Sequence, residues 1–337
     1  MRARLLAAAC LVALVGPDAA HAVTPPGAPS VGRARAAEHR IHPRADREWW
    51  RIHAFAPRRH GRAVVEVVRE NGGATLRADI YAADGTVLSN AYGPVETVRA
   101  TARSLDAGGP RVALHLRVRG RRIVAAITLP DGARCRLVLA AARRGPAARR
   151  FRLGRHLGGD PGIRGTPIGF SWTMPVAYAR TSARFVSAGR VRERGHGWFA
   201  SYEHGWGDID LDDAEWQHWD EEVVHLPGAT WVLFGLNRLD TLTGPGARDP
   251  MWLGVLARVT RGGVRACRAR IRRVRWHYEP LDTSMTWPIV TRAHCGGLRT
   301  TFREGARIGL DLLDHRLATA QTHIGGRGHG WGWHAFH

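Results

Sequence analysis

Lysine is missing altogether from this 337-residue chain: all 50 residues counted as Lys or Arg are arginine. So one-sided a choice reflects biased codon usage more than recognition of a polyanion. The formal net charge is nevertheless +21. The arginines are spread along strand-like segments at alternating positions, and no nucleic-acid motif accompanies them, so DNA and RNA are not the expected partners. Loose attraction to anionic envelope polymers is the partner such a charge allows. Cysteine is scarce, with four residues and none in a CxxC, which argues against structural zinc. Beyond the first residues no segment is apolar enough to span a bilayer, and no sustained 3.6-residue apolar stripe marks an amphipathic helix. HExxH is absent, and no GxSxG, P-loop or GxGxxG stands in a supporting context. Nothing calls for a cofactor or a metal.

What is present begins with Met1-Arg2-Ala3-Arg4, an apolar run from Leu5 to Val15, and Ala20-His21-Ala22. That layout is a secretory signal peptide over 1–22, cleaved after Ala22, and predicts a secreted or cell-envelope (periplasmic) protein. Residues 23–40, rich in Pro, Gly and Ala, are expected to be a disordered leader. Three cysteines then remain. Cys267 and Cys295 lie in neighbouring strand-like segments and are the expected disulfide, leaving Cys135 over.

The periodicity of the rest is that of strands. Arg62–Arg69, Thr75–Tyr81, Arg111–Val118, Ile123–Leu129, Arg134–Ala140, Thr230–Asn237, Trp252–Thr260 and Val264–Trp276 all mix β-branched or aromatic residues with alternating polar ones. Turn signals separate them at Ala83-Asp84-Gly85, Pro130-Asp131-Gly132 and Arg261-Gly262-Gly263. The expected fold is all-β, with antiparallel barrels or strongly curved sheets that hide their edges. Arg143–Arg150 and Gly158–Gly165 read as exposed loops, and Glu304–Ala318 as the place for a short helix.

One window departs from the pattern. Gly195–Asn237 contains no arginine, yet holds five of the 13 tryptophans (Trp198, Trp206, Trp216, Trp219, Trp231) and four histidines. Nine of the 29 acids fall between Glu203 and Glu222. The acid run Asp208–Asp213 lacks the Gly and Glu positions of a calcium loop, and His196, His204, His218 and His225 lack zinc-ligand spacing. A junction between two β units is the reading for Asp208–Glu222. The second unusual cluster is Glu48-Trp49-Trp50, whose adjacent indoles face opposite ways on a strand.

Taken in order, Glu48-Trp49-Trp50-x-x-His53, then Ser171-Trp172, Tyr178 and Ser182–Gly189, then Tyr202-Glu203-His204-Gly205-Trp206-Gly207, the chain resembles the hydroxyneurosporene synthase family, the carotenoid 1,2-hydratases and their lipocalin-like relatives. The resemblance covers about residues 46–337 and is strongest at its two tryptophan motifs. It implies two consecutive lipocalin-like units, 41–210 and 211–337, with a hydrophobic pocket in or between them. Members add water across a terminal isoprenoid double bond; others act on phenolic prenyl groups, shepherd pericyclic ring closures, or are exported without a known activity. Glu203 stands where the family has Asp, and His204, Trp206 and Gly207 fall on its His, Trp and Gly.

Alkene hydration needs an acid for one alkene carbon, stabilisation of the tertiary cation, and water. A carboxyl group among tryptophans is poorly solvated, which favours its protonated form, and indole faces stabilise a cation. The expectation is Glu203 as the acid and His204 as its orienter or water activator. Trp49, Trp50, Trp172, Tyr178, Tyr202 and Trp206 are expected to line the site of a hydrophobic isoprenoid or polyene-type ligand. The competing expectations are a non-catalytic lipophile carrier, a pericyclase or cyclase, and a carbohydrate binder using Trp216, Trp219 and Trp231.

Overall fold

In the computed structural model the described residues are 29–57, 61–155, 167–207, 218–237, 253–279, 282–310, 317–324 and 329–336. They form strands almost throughout, and among them the only helical element is one 3-10 turn, Ala36–His39. The expected signal peptide, the acid run Asp208–Asp213 and the loop Gly158–Gly165 lie outside the described residues.

The first thirteen strands make one antiparallel, strongly curved sheet. They are β1 (Ser30–Arg33), β2 (Arg47–Phe55), β3 (Arg62–Glu70), β4 (Gly73–Tyr81), β5 (Val87–Pro94), β6 (Thr97–Thr101), β7 (Ser104–Gly108), β8 (Ala113–Arg119), β9 (Arg122–Thr128), β10 (Arg134–Arg143), β11 (Pro146–Arg155), β12 (Pro167–Ser187) and β13 (Arg190–Gly207). Their order is β5-β4-β3-β2-β13-β12-β10-β9-β8-β7-β6, with β11 joining β12 to β1. The long strands β2 and β13 are therefore central neighbours, although about 150 residues separate them. The remaining eight close into a barrel in sequence order: β14 (His218–Leu226), β15 (Ala229–Asn237), β16 (Leu253–Thr260), β17 (Gly263–Glu279), β18 (Asp282–Cys295), β19 (Leu298–Leu310), β20 (Leu317–Ile324) and β21 (His329–Phe336).

Alternation along each strand generates three cores. The concave face of the sheet gathers Trp50, Ile52, Val65, Leu114, Leu137 and Tyr202 among others. The barrel interior holds Val224, Leu233, Leu256, Ile271 and Phe302. Between them, Trp49, Phe170 and Trp172 of the sheet pack on Val223, Val232, Phe234 and Val255, which point out of the barrel. Cys267 and Cys295 are joined, staying within the β17–β18 pair, and Cys135 is buried and free.

Two expectations fail, and a third is met by strand where it is described. The leader expected to be disordered over 23–40 is ordered from residue 29: β1 pairs with β11, and Glu38 bonds to Arg149. Low hydrophobicity does not prevent order when an open sheet edge supplies the backbone partners. Arg143–Arg150, expected as an exposed loop, instead runs through β10 and β11, and its run of charges conceals the fully buried Ala147 and Ala148. Of Glu304–Ala318, expected to hold a short helix, Glu304–Leu310 is strand paired with β20 and Leu317 begins the next strand; residues 311–316 lie outside the described residues.

Candidate functional site

Strands β2 and β13 pair with Glu203 opposite Arg51, His204 opposite Trp50, Tyr202 opposite Ile52 and Trp206 opposite Glu48. Residues directly opposite share a face, and successive residues alternate faces. Tyr202, His204 and Trp206 thus join Glu48 and Trp50 on the concave face. Glu203 and Gly205 join Trp49, Arg51 and His53 on the face toward the barrel. Glu203 and His204 are both fully buried, but on opposite sides of the sheet. The expected acid-and-orienter pair does not form.

On the barrel side Glu203 accepts a hydrogen bond from Trp172 Nε1 at 3.1 Å and lies 3.2 Å from Arg51 NH1 and 3.9 Å from His53 Nε2. Arg51 also donates twice to Glu66, at 2.8 and 2.6 Å. Burial opposes ionisation of Glu203, yet a hydrogen bond with Glu221 of β14, the Arg51 charge and His53 hold its carboxyl down to about 2. This corrects the expectation that poor solvation keeps Glu203 protonated: desolvation is outweighed by the cation beside it. Aromatic rings wall the cluster. Trp172 stacks on Phe234 at 4.6 Å and Trp49 on Phe170 at 5.3 Å.

The concave side carries a different network. Glu48 Oε1 accepts the His42 backbone N–H at 3.0 Å and lies 2.9 Å from both His42 Nδ1 and His204 Nε2; Oε2 accepts from Arg69 at 2.9 Å. Burial works against the Glu48 charge, but its contacts with His204, His42 and Arg69 hold it down to about 2. His204 stacks flat on Trp50 at 4.7 Å, and Trp206 stacks on His42 at 4.0 Å. The His204 pKa is lowered, chiefly by burial.

Tyr202 stands one turn of the pleat away. Its hydroxyl lies 2.5 Å from His39 Nε2, and His39 Nδ1 lies 2.5 Å from the Thr101 carbonyl. The carbonyl only accepts, so Nδ1 carries the hydrogen and the Tyr202 hydroxyl donates to Nε2. Burial lowers the His39 pKa to about 4 and pushes that of Tyr202 well up. Both are neutral at pH 7.

Tyr202 and His39 form part of the wall of a cavity of about 510 Å³. Strands of the sheet, the 3-10 turn and the β16–β17 hairpin (Thr260, Arg261, Gly263) enclose it. Its apolar lining includes Val118, Ile123 and Val176. Six arginines line it too (Arg33, Arg35, Arg121, Arg143, Arg144, Arg261), and among the described residues no carboxylate does. Among the expected site residues, Tyr202 alone lines this cavity. Trp50, His204 and Trp206 lie behind it in the Glu48 network, while Trp49 and Trp172 face the barrel. Tyr178 sits between Phe199 and His225 beneath the Arg143 guanidinium, 4.6 Å from its ring. Of the three tryptophans considered for sugar, Trp216 lies outside the described residues, nothing is described of the Trp219 side chain, and Trp231 is half-buried against the barrel core. His39, His42, Arg51, His53 and Glu221 escape the sequence reading as site residues; period-2 alternation from Glu203 and Trp50 is the signal that points to the β2 members.

No protein-family model matches the sequence, and no curated protein matches it either. Solved structures do. An AttH candidate from Nitrosomonas europaea superposes with a TM-score of 0.58 at 12% identity, over 89% of this chain and 95% of that one. Kievitone hydratase from Nectria haematococca superposes with a TM-score of 0.51 at 10% identity, over 90% and 92%. At these identities the likeness is one of fold: this chain shares a lipocalin-like β fold with structures that include a hydratase.

Proposed function

We propose that this chain binds an amphiphilic small molecule, with an apolar body and an anionic end, in the arginine-lined cavity beside Tyr202. The observation that carries this reading is the lining: six arginines and, among the described residues, no carboxylate around a wall that also presents Val118, Ile123 and Val176. Guanidinium groups bind carboxylate and phosphate through paired hydrogen bonds, and a cavity of this size suits a small ligand. The Tyr202 hydroxyl, already donating to His39, adds an acceptor at the floor. The ligand would lie between two lipocalin-like units, 41–210 and 211–337, and the signal-like leader supports a role outside the cytoplasm. Compared with a purely hydrophobic isoprenoid, the ligand gains a charged end.

The test is a fluorescence titration with a long-chain carboxylate and its methyl ester. The carboxylate is expected to saturate at one equivalent, the ester to bind roughly tenfold more weakly or worse, since an unpaired guanidinium cluster loses its charge-assisted bonds. Arg33→Glu with Arg261→Glu, at exposed positions, should remove that preference. Equal binding of acid and ester contradicts the reading.

Acid-catalysed hydration is a second reading, favoured by the two fully buried carboxyl groups of Glu203 and Glu221 and by the aromatic rings of Trp49, Trp172 and Phe234 around Glu203. There the Glu203–Glu221 pair delivers the proton and the indoles stabilise the cation. The likeness to kievitone hydratase shows only that the fold can hold such chemistry. Glu203→Gln should then abolish hydration of a prenyl substrate while the variant stays folded; full turnover by it excludes the reading.

A further inference from the structure

We propose that His42, Glu48 and His204 form a binding site for one divalent transition-metal ion of the zinc class, on the concave face of the first sheet. The three ligand atoms, His42 Nδ1, Glu48 Oε1 and His204 Nε2, all lie within 4.8 Å of one another. Both imidazole nitrogens stand 2.9 Å from the same carboxylate oxygen. Around a tetrahedral zinc ion with bonds of about 2.0–2.2 Å the ligand atoms stand about 3.3–3.6 Å apart, so a modest rearrangement of these side chains lets one ion bind all three.

Hydrogen placement provides the stronger argument. His204 Nδ1 lies 2.6 Å from the Glu38 carbonyl oxygen, which can only accept, so the ring hydrogen sits on Nδ1. In the neutral ring Nε2 is then a bare lone pair, and it faces a carboxylate oxygen, another lone pair, at 2.9 Å. A proton between the two groups or a bound cation turns that contact from repulsion into attraction. A metal ion satisfies Nε2, Oε1 and the His42 nitrogen together.

The surroundings match those of metal-bound histidines. The Glu38 carbonyl fixes the His204 tautomer, as an outer hydrogen-bond partner does for a ligating imidazole. Arg69 occupies Oε2, leaving Glu48 to ligate through Oε1 alone. Trp50 and Trp206 clamp the two rings. His42 keeps 28% of its side chain exposed, so a fourth position can be filled by water or ligand, as in open two-His, one-carboxylate zinc sites. Imidazole ligands favour zinc over magnesium or calcium. The three residues come from the segment before β2, from β2 and from β13, which is why no local spacing betrays them.

The test uses the full chain, stripped with a chelator and titrated with Zn²⁺ by calorimetry and with Co²⁺ by visible absorption and tryptophan quenching. One equivalent is expected to bind with a tetrahedral or five-coordinate Co²⁺ spectrum. His42→Ala, whose side chain lies outside the sheet core, should weaken that step roughly tenfold or more, and Glu48→Gln should do the same if it folds. Absence of a one-equivalent step overturns the proposal. So does unchanged binding by folded His42→Ala, which would assign the metal to other histidines. A nitrogen NMR spectrum showing both His204 ring nitrogens protonated in excess Zn²⁺ overturns it equally.

Discussion

Gly205 illustrates how single residues shape the site. A Cβ added there would stand 2.2 Å from the Trp49 ring, which lies across the glycine from the paired strand. The glycine in the Glu-His-Gly-Trp-Gly segment therefore makes room for a tryptophan rather than providing a hinge. Gly205→Ala should destabilise the fold by about 1–3 kcal/mol through overpacking, measured by denaturant unfolding. An unchanged midpoint would mean that Trp49 moves freely. Buried titratable groups set the pH response. Burial, aided by Arg143, lowers the His225 pKa from 6.5 to about 3, and Glu203 is held down to about 2 from 4.5. In both cases the unfolded chain takes up its proton at higher pH than the folded one. Stability should therefore fall as pH drops below about 6.5, and fall further below about 4.5. Denaturation midpoints at pH 7, 5 and 3.5 in that descending order are expected; equal midpoints at 7 and 5 would contradict the account of His225.

Pairing of β2 with β13 creates two sites from one motif. The alternation that separates Trp49 from Trp50 applies equally to Glu203 and His204, and it sends the carboxylate to the barrel interface and the imidazole to the concave face. The sequence makes the residues visible and their strand character plain. It leaves their partners hidden, because Arg51 and Glu66 meet Glu203 only through the β3-β2-β13 register, and Glu221 only through packing of the barrel. The strands themselves were legible wherever apolar and polar residues alternate, as in β3, β4 and β9. They were obscured where arginines crowd a paired edge, as at Arg143–Arg150. The buried ion network should behave as a unit. Arg51→Met leaves two carboxylates without their cation and should cost about 3–5 kcal/mol. Adding Glu66→Gln and Glu203→Gln should restore most of that loss. A loss under about 1 kcal/mol in the single variant, by thermal or denaturant unfolding, would show that the network is dispensable.

At the scale of the whole molecule, the curved sheet and the closed barrel meet through their outward faces, and two different environments result. One is packed, aromatic and built around the buried Arg51 ion network; the other is an open cavity ringed with positive charge. The all-β architecture and the Cys267–Cys295 pair were readable from periodicity and spacing. The cavity was not, because Arg33 comes from β1, Arg35 from two residues beyond it, Arg121 from the β8–β9 turn, and Arg261 from a barrel hairpin. In a chain with 50 arginines, position in space alone distinguishes those that line a site. The central claim is that this cavity, rather than the aromatic interface, holds the ligand. A crystal structure of the protein with a bound long-chain carboxylate tests it most directly. The account predicts the carboxylate between Arg33, Arg143 and Arg261 with the chain running past Val176 toward Tyr202. A ligand lodged instead between Trp49, Trp172 and Phe234, with its chain against Glu203, would contradict it.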